Sequence, residues 1–194
     1  MMRALLIAAS LLCATVARAE IVSEYTEFDG YDDCTAYRGS EPGEGDWADL
    51  VCAGYQGYPV ILAYTDLRYT AFYGFPPEGD MPRQAGFHPF NRPGSRIEWR
   101  IDRQERTEAP FAAIQRWFAS TGEEGARDLE ILAVSKVATI KDRTGCFVGF
   151  VMATGNAQAN EEARQLADET TRDFDCASDE RVIADPAIRA LVSG

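Results

Sequence analysis

The apolar residues of this chain change their spacing once, and that change limits the fold more than any other feature. As far as residue 153 they come in short runs or alternate with polar residues. From Asn156 onward, Ala159, Ala163, Leu166, Ala167, Thr170 and Phe174 follow the spacing of a single helical face. Such a chain builds a sheet and then lays one helix on it. The expectation is an α+β fold, a mainly antiparallel sheet with one C-terminal helix packed on a face.

The helix is predicted over residues 157–173, with Asn156 able to cap its start and Glu161 and Glu162 in the early part, where carboxylates suit the dipole. Ahead of it, residues 20–28, 50–53, 58–64 and 67–73 read as short strands. The segment Gly54-Tyr55-Gln56-Gly57 is a turn, and Thr65-Asp66 is short enough to make a hairpin of its flanking strands. Residues 96–102 alternate cleanly, with Ile97, Trp99 and Ile101 on one face and Glu98, Arg100 and Asp102 on the other.

Residues 111–118 fit a short helix or a strand, and their Trp, Phe and Ile content favours the strand. A hairpin register that sets Glu98 opposite Arg116 would join these two strands through an opposed ion pair. Residues 129–138 and 147–153 are apolar on both alternating sets and read as central strands. A further short helix is expected after Pro186.

Residues 1–19 have a different character. Arg3 is followed by an apolar run to Val16 and then Ala17-Arg18-Ala19, the n-region, h-region and cleavage site of a secretory signal. The run is shorter than the ~20 residues a membrane span needs. Cys13 lacks a lipobox around it, since Ser10, Leu11 and Leu12 stand in the preceding places. The expected mature chain is one domain, residues 20–194, in the periplasm or outside the cell. Loss of Arg3 and Arg18 takes the formal charge from −12 to −14. That field disfavours nucleic acid and anionic membrane surfaces, and leaves a basic protein or cationic ligand as the partner class.

Four cysteines then remain, Cys34, Cys52, Cys146 and Cys176, which an exported chain pairs as two disulfides with three possible connectivities. Strand residues 146–153 advance roughly 26 Å at ~3.3 Å each, and the helix returns roughly 25 Å at ~1.5 Å each. Cys176 therefore comes back beside Cys146. Cys34 and Cys52 would close the acidic glycine loop between them. No zinc-type cysteine and histidine spacing occurs, no D-x-D-x-D-G calcium loop is present, and no cofactor motif appears.

Candidate chemistry is sparse. His88 is the single histidine, so it alone could serve a Ser-His or Cys-His site, and no G-x-S-x-G accompanies it. With 31 acidic residues, chance carboxylate pairs are inevitable, and Glu98 on the tryptophan-bearing strand is the one that stands out. The tyrosines 55, 58, 64, 69 and 73 with Phe72 form either a sugar or peptide platform or the sheet core. Residues 74–95, with five prolines, read as a long surface loop, and its Phe87, His88 and Phe90 are the candidate binding residues.

Several segments together, Gly54-Tyr55-Gln56-Gly57-Tyr58-Pro59-Val60, Asp66-Leu67-Arg68, Ile97-Glu98-Trp99-Arg100, residues 110–118 and residues 160–168, resemble a group of uncharacterised small secreted proteins of alphaproteobacteria. The resemblance implies a periplasmic or secreted setting and brings no catalytic residue or cofactor with it. The leading functional expectation is a non-catalytic binding or interaction module. The alternatives are a periplasmic hydrolase using carboxylates or His88, and a structural envelope protein.

Overall fold

The computed structural model describes residues 20–29, 32–41, 43–79, 86–103, 108–123 and 125–192. The expected signal segment, Cys13 included, lies outside them, as does part of the 74–95 loop. Among the described residues, ten strands and two α-helices follow one another as β1 (Ile21–Glu27), β2 (Cys34–Gly39), β3 (Trp47–Cys52), β4 (Val60–Thr65), β5 (Arg68–Tyr73), β6 (Asn91–Asp102), β7 (Pro110–Ala119), β8 (Leu129–Lys136), β9 (Phe147–Met152), α1 (Ala159–Thr170), β10 (Val182–Ile183) and α2 (Pro186–Leu191), with one 3-10 turn at Tyr55–Gly57.

The strands form two sheets, ordered β2-β3-β4-β5 and β1-β6-β7-β8-β9-β10. Every pairing is antiparallel except the short β9–β10 pair. The α+β expectation holds, sheet-dominated, with α1 on the outer face of the larger sheet. The division into two sheets was not foreseen.

Alternation along the central strands explains the three layers. On β7 and β8, Ala113, Trp117, Ile131 and Ala133 point to the smaller sheet and meet Leu50, Val60, Leu62, Ala71 and Tyr73. Their neighbours Ala112, Ile114, Leu132 and Val134 point the other way, under Ala159, Ala163 and Ala167 of α1. Small helix residues let the backbone of α1 sit close to the sheet. Gly149 has the same role from the sheet side, since a Cβ there would stand 2.9 Å from Leu166 Cδ2 and 2.6 Å from the Val182 carbonyl oxygen.

Both expected disulfides are present. Cys34 and Cys52 are direct partners in the β2–β3 ladder with Cα atoms 4.1 Å apart. Their loop is therefore partly ordered as a hairpin, which its glycine and acid content had concealed. Cys146 and Cys176, with Cα atoms 5.7 Å apart, tie the start of β9 to the segment beyond α1, as the strand and helix lengths require.

Three local readings need correction. The β6–β7 register sets Glu98 opposite Ile114, two residues from the one that would pair it with Arg116. The two side chains keep a common face because the shift is even, but Arg116 binds Glu130 across β7 and β8 instead. The 74–95 loop is also shorter than its prolines suggest, because β6 already starts at Asn91. Pro93 is tolerated because it borders a bulge in which Gly94, Ser95 and Arg96 face only Arg116 of β7. Asn156 acts two residues early: Gln158 is the N-cap position, and Asn156 Oδ1 accepts its amide hydrogen at 2.9 Å.

The sheets are joined at Gly74, which adopts φ +93° and bridges to Ala138. The Ala138 amide donates to the Tyr73 carbonyl at 2.9 Å and the Phe75 amide to the Ala138 carbonyl at 3.0 Å. A Cβ at position 74 would lie 2.1 Å from the Ala138 oxygen, against backbone that cannot yield. Gly74→Ala should therefore cost about 3 kcal/mol or more, through a combined backbone and steric penalty. Urea unfolding measures it, and a loss under about 1 kcal/mol would show that the junction is not held as described.

Candidate functional site

Alternation puts Glu98, Arg100 and Asp102 of β6 on the face toward α1, at spacings of roughly 6.6 Å. Helical periodicity puts Arg164, Asp168 and Arg172 in line on α1 and its following turn, at spacings of roughly 6 Å. The two series have opposite charge order and nearly the same pitch. They engage as three rungs.

At the first rung Arg164 Nε donates to Glu98 Oε1 at 2.7 Å. At the second, Arg100 holds Asp168 through two parallel bonds, Nε to Oδ1 at 2.8 Å and Nη2 to Oδ2 at 2.6 Å. At the third, Arg172 Nη2 donates to Asp102 Oδ2 at 3.0 Å, with its guanidinium 3.8 Å from the centre of the Phe111 ring. Ser23, paired with Arg100 in the β1–β6 ladder, links the first two rungs: its hydroxyl donates to Glu98 Oε1 at 2.5 Å and accepts from Arg100 Nη1.

The Arg100 and Glu98 side chains are about nine-tenths buried, so these are desolvated charges that need their partners. Hydrogen bonding to Glu98 is the largest influence holding the Arg164 guanidinium in its charged form, and pushes its pKa up.

Beyond the first rung the sheet face is no longer covered by α1, and a cleft of about 780 Å³ opens there. Glu98, Ile114, Leu132 and Arg164 line one part of it, and Arg92, Arg96, Arg116, Phe118, Asn160 and Tyr25 are among the others. Its shape depends on the β6 bulge. The carbonyls that the bulge frees are taken up locally, Gly94 accepting from Gln115 Nε2 at 2.8 Å and Ser95 from the Phe28 amide at 2.7 Å. A Cβ at position 94 would stand 3.0 Å from the Arg116 carbonyl oxygen, so glycine permits the close approach of the strands.

The residues singled out in the sequence are not brought together at the cleft. Phe87 is buried, packed on Trp117 and Phe150 between the sheets, and is corrected from a surface residue to a core one. His88 and Phe90 are exposed. The His88 amide donates to the Leu191 carbonyl at 2.8 Å, its carbonyl accepts from Arg68 Nε, and the Arg68 guanidinium lies 4.6 Å from the centre of the Phe90 ring. Neither His88 nor Phe90 lines the cleft that Glu98 lines.

Tyr64, Phe72 and Tyr73 are buried and Tyr55, Tyr58 and Tyr69 half-buried, so the aromatic series is largely core. The Tyr73 hydroxyl donates to Gln115 Oε1 at 2.5 Å, and burial pushes its pKa up. Sequence reasoning found Glu98 but missed Arg100, Arg164 and Asp168. The alternating charge order at period two on the strand and period four on the helix is the signal that marks them.

Arg164→Ala should leave Glu98 buried with only the Ser23 hydroxyl bonded and Arg100 3.7 Å away. A loss of about 2 kcal/mol in urea unfolding is expected, and no loss would mean that the rung is a solvated surface pair. Comparison of the chain with protein-family models, curated proteins and solved structures found no match, so what the cleft can hold must follow from its own residues.

Proposed function

We propose that the protein is a non-catalytic binding module acting outside the cytoplasm, in the periplasm or beyond it, with the cleft between α1, β6 and β7 as its ligand site. The observation that carries this reading is the state of Glu98. It is the buried acid in the cleft, and Ser23 and Arg164 already occupy it, as befits a positioned wall rather than a proton donor or nucleophile. The cleft volume, about 780 Å³, is in the range that small-molecule sites occupy.

Two disulfides are compatible with an oxidising compartment. Among the described residues no helix is long and apolar enough to cross a membrane. The signal-like segment 1–19 and the resemblance to secreted alphaproteobacterial proteins support the finer placement. A basic protein as an additional partner is favoured by the formal charge of −12, which steers cationic surfaces toward the chain. The hydrolase reading has less support, because His88 and Glu98 do not share the cleft.

Residues 20–194 with both disulfides intact are the material for the test. A panel of small ligands, hydrolase substrates and a basic protein such as lysozyme, tried at low and moderate salt, should give saturable binding without consumption of the ligand. Turnover that Glu98→Gln abolishes, measured at a temperature where circular dichroism shows the variant still folded, would overturn the reading in favour of an enzyme.

A further inference from the structure

We infer that the cleft recognises an oxyanion, a carboxylate or phosphate group on a small molecule, through Arg92 and Arg116. This rests on the binding-module reading and names the ligand class of the same site.

Arg92 is paired with Phe118 across β6 and β7, and Arg116 lies two residues before Phe118 on the same face. The three side chains therefore form one strip on the part of the sheet that α1 leaves open. The Arg92 guanidinium lies 3.9 Å from the centre of the Phe118 ring, which fixes its plane. Its carboxylate neighbour Asp128 is 3.8 Å away, beyond hydrogen-bond distance, and the side chain is 58% exposed. A planar fork of donors is thus held in place without being consumed.

Arg116 is in a related condition. Its Nη1 donates to Glu130 at 2.7 Å, which orients the group, while Nη2 has only a 3.4 Å contact with Asn160 Oδ1. The acids of the lining are largely neutralised by comparison. Glu98 is bound by Ser23 and Arg164, and Glu27 takes two donors from Arg96, at 2.8 and 2.6 Å. Among the described residues, Asp29 is the lining acid outside these pairs.

Donor groups remain on exposed Arg92 and half-buried Arg116 where the acceptors of the lining are already occupied, so the short-range chemistry of the cleft favours an acceptor ligand although the chain as a whole is acidic. Phe118, Tyr25 and Tyr69 add aromatic surface for the rest of the ligand. Because the overall charge of −12 repels anions at a distance, recognition has to come from directed hydrogen bonds and not from a diffuse basic field.

The test is calorimetric titration of residues 20–194 with inorganic phosphate, with citrate and, as a cationic control, with spermidine, all at one ionic strength. Phosphate and citrate distinguish the two sources of the oxyanion. At least one should bind saturably with one-to-one stoichiometry. Arg92→Ala should weaken that binding about tenfold or more, with an unchanged melting temperature, and Arg103→Ala, a control arginine outside the cleft lining, should leave it intact. Arg116→Gln, run in parallel, keeps the test standing if Arg92→Ala alters the melting temperature. Binding of spermidine alone, non-saturating binding, equal losses in Arg92→Ala and Arg103→Ala, or no binding of any probe would overturn the inference. Spermidine binding would leave the binding-module reading in place, whereas consumption of a bound probe would overturn that reading instead.

Discussion

The pairing of β6 with α1 through three charged rungs is the interaction on which the rest of the structure depends. Glu98–Arg164, Arg100–Asp168 and Asp102–Arg172 match because strand alternation and helical periodicity advance by nearly the same distance over two and four residues. A helix resting on alanines alone could slide along a smooth apolar sheet. The alternating charge order penalises slippage, since a displacement by one rung brings like charges together. The apolar contacts thus give α1 its adhesion, and the rungs give it its position.

That position has two structural consequences. The Cys146–Cys176 bridge ties the segment just beyond α1 to the start of β9, so the chain leaving the helix is held by a covalent link and the helix itself by ion pairs along its length. Its beginning stops short of the β6 bulge, and the sheet face left bare there becomes the cleft. A residue such as Arg164 therefore has two settings at once, closing the first rung with Glu98 and lining the opening. Stability and site geometry share side chains here, which is common where a binding surface is set on rigid elements.

Much of the architecture was legible in the sequence because it rests on local periodicity. The strand with Ile97, Trp99 and Ile101 alternating inward, the helix of Ala159, Ala163 and Ala167, and the Cys146–Cys176 pairing follow from spacing and length, and the Cys34–Cys52 bridge was expected as the closure of its loop. What escaped depends on long-range contact. Phe87 reads as a loop residue beside Pro89, yet Trp117 and Phe150 bury it, and nothing within ten residues announces them. The β2 strand was hidden because its pairing with β3 comes from the cross-strand ladder rather than from its own composition. The cleft was invisible because it arises from a bulge at Pro93 to Ile97, and proline there argued against a strand altogether.

A double-mutant cycle on the middle rung tests the central claim most directly. Arg100→Ala, Asp168→Ala and the double variant would be unfolded in urea at neutral pH and compared with the parent chain. Each single change should cost about 3 kcal/mol, because the surviving partner is left as a desolvated charge. The double variant should cost much less than the sum, with a coupling of about 2 kcal/mol or more. A coupling below about 0.5 kcal/mol would contradict the account, since α1 would then be held in place by its apolar face alone.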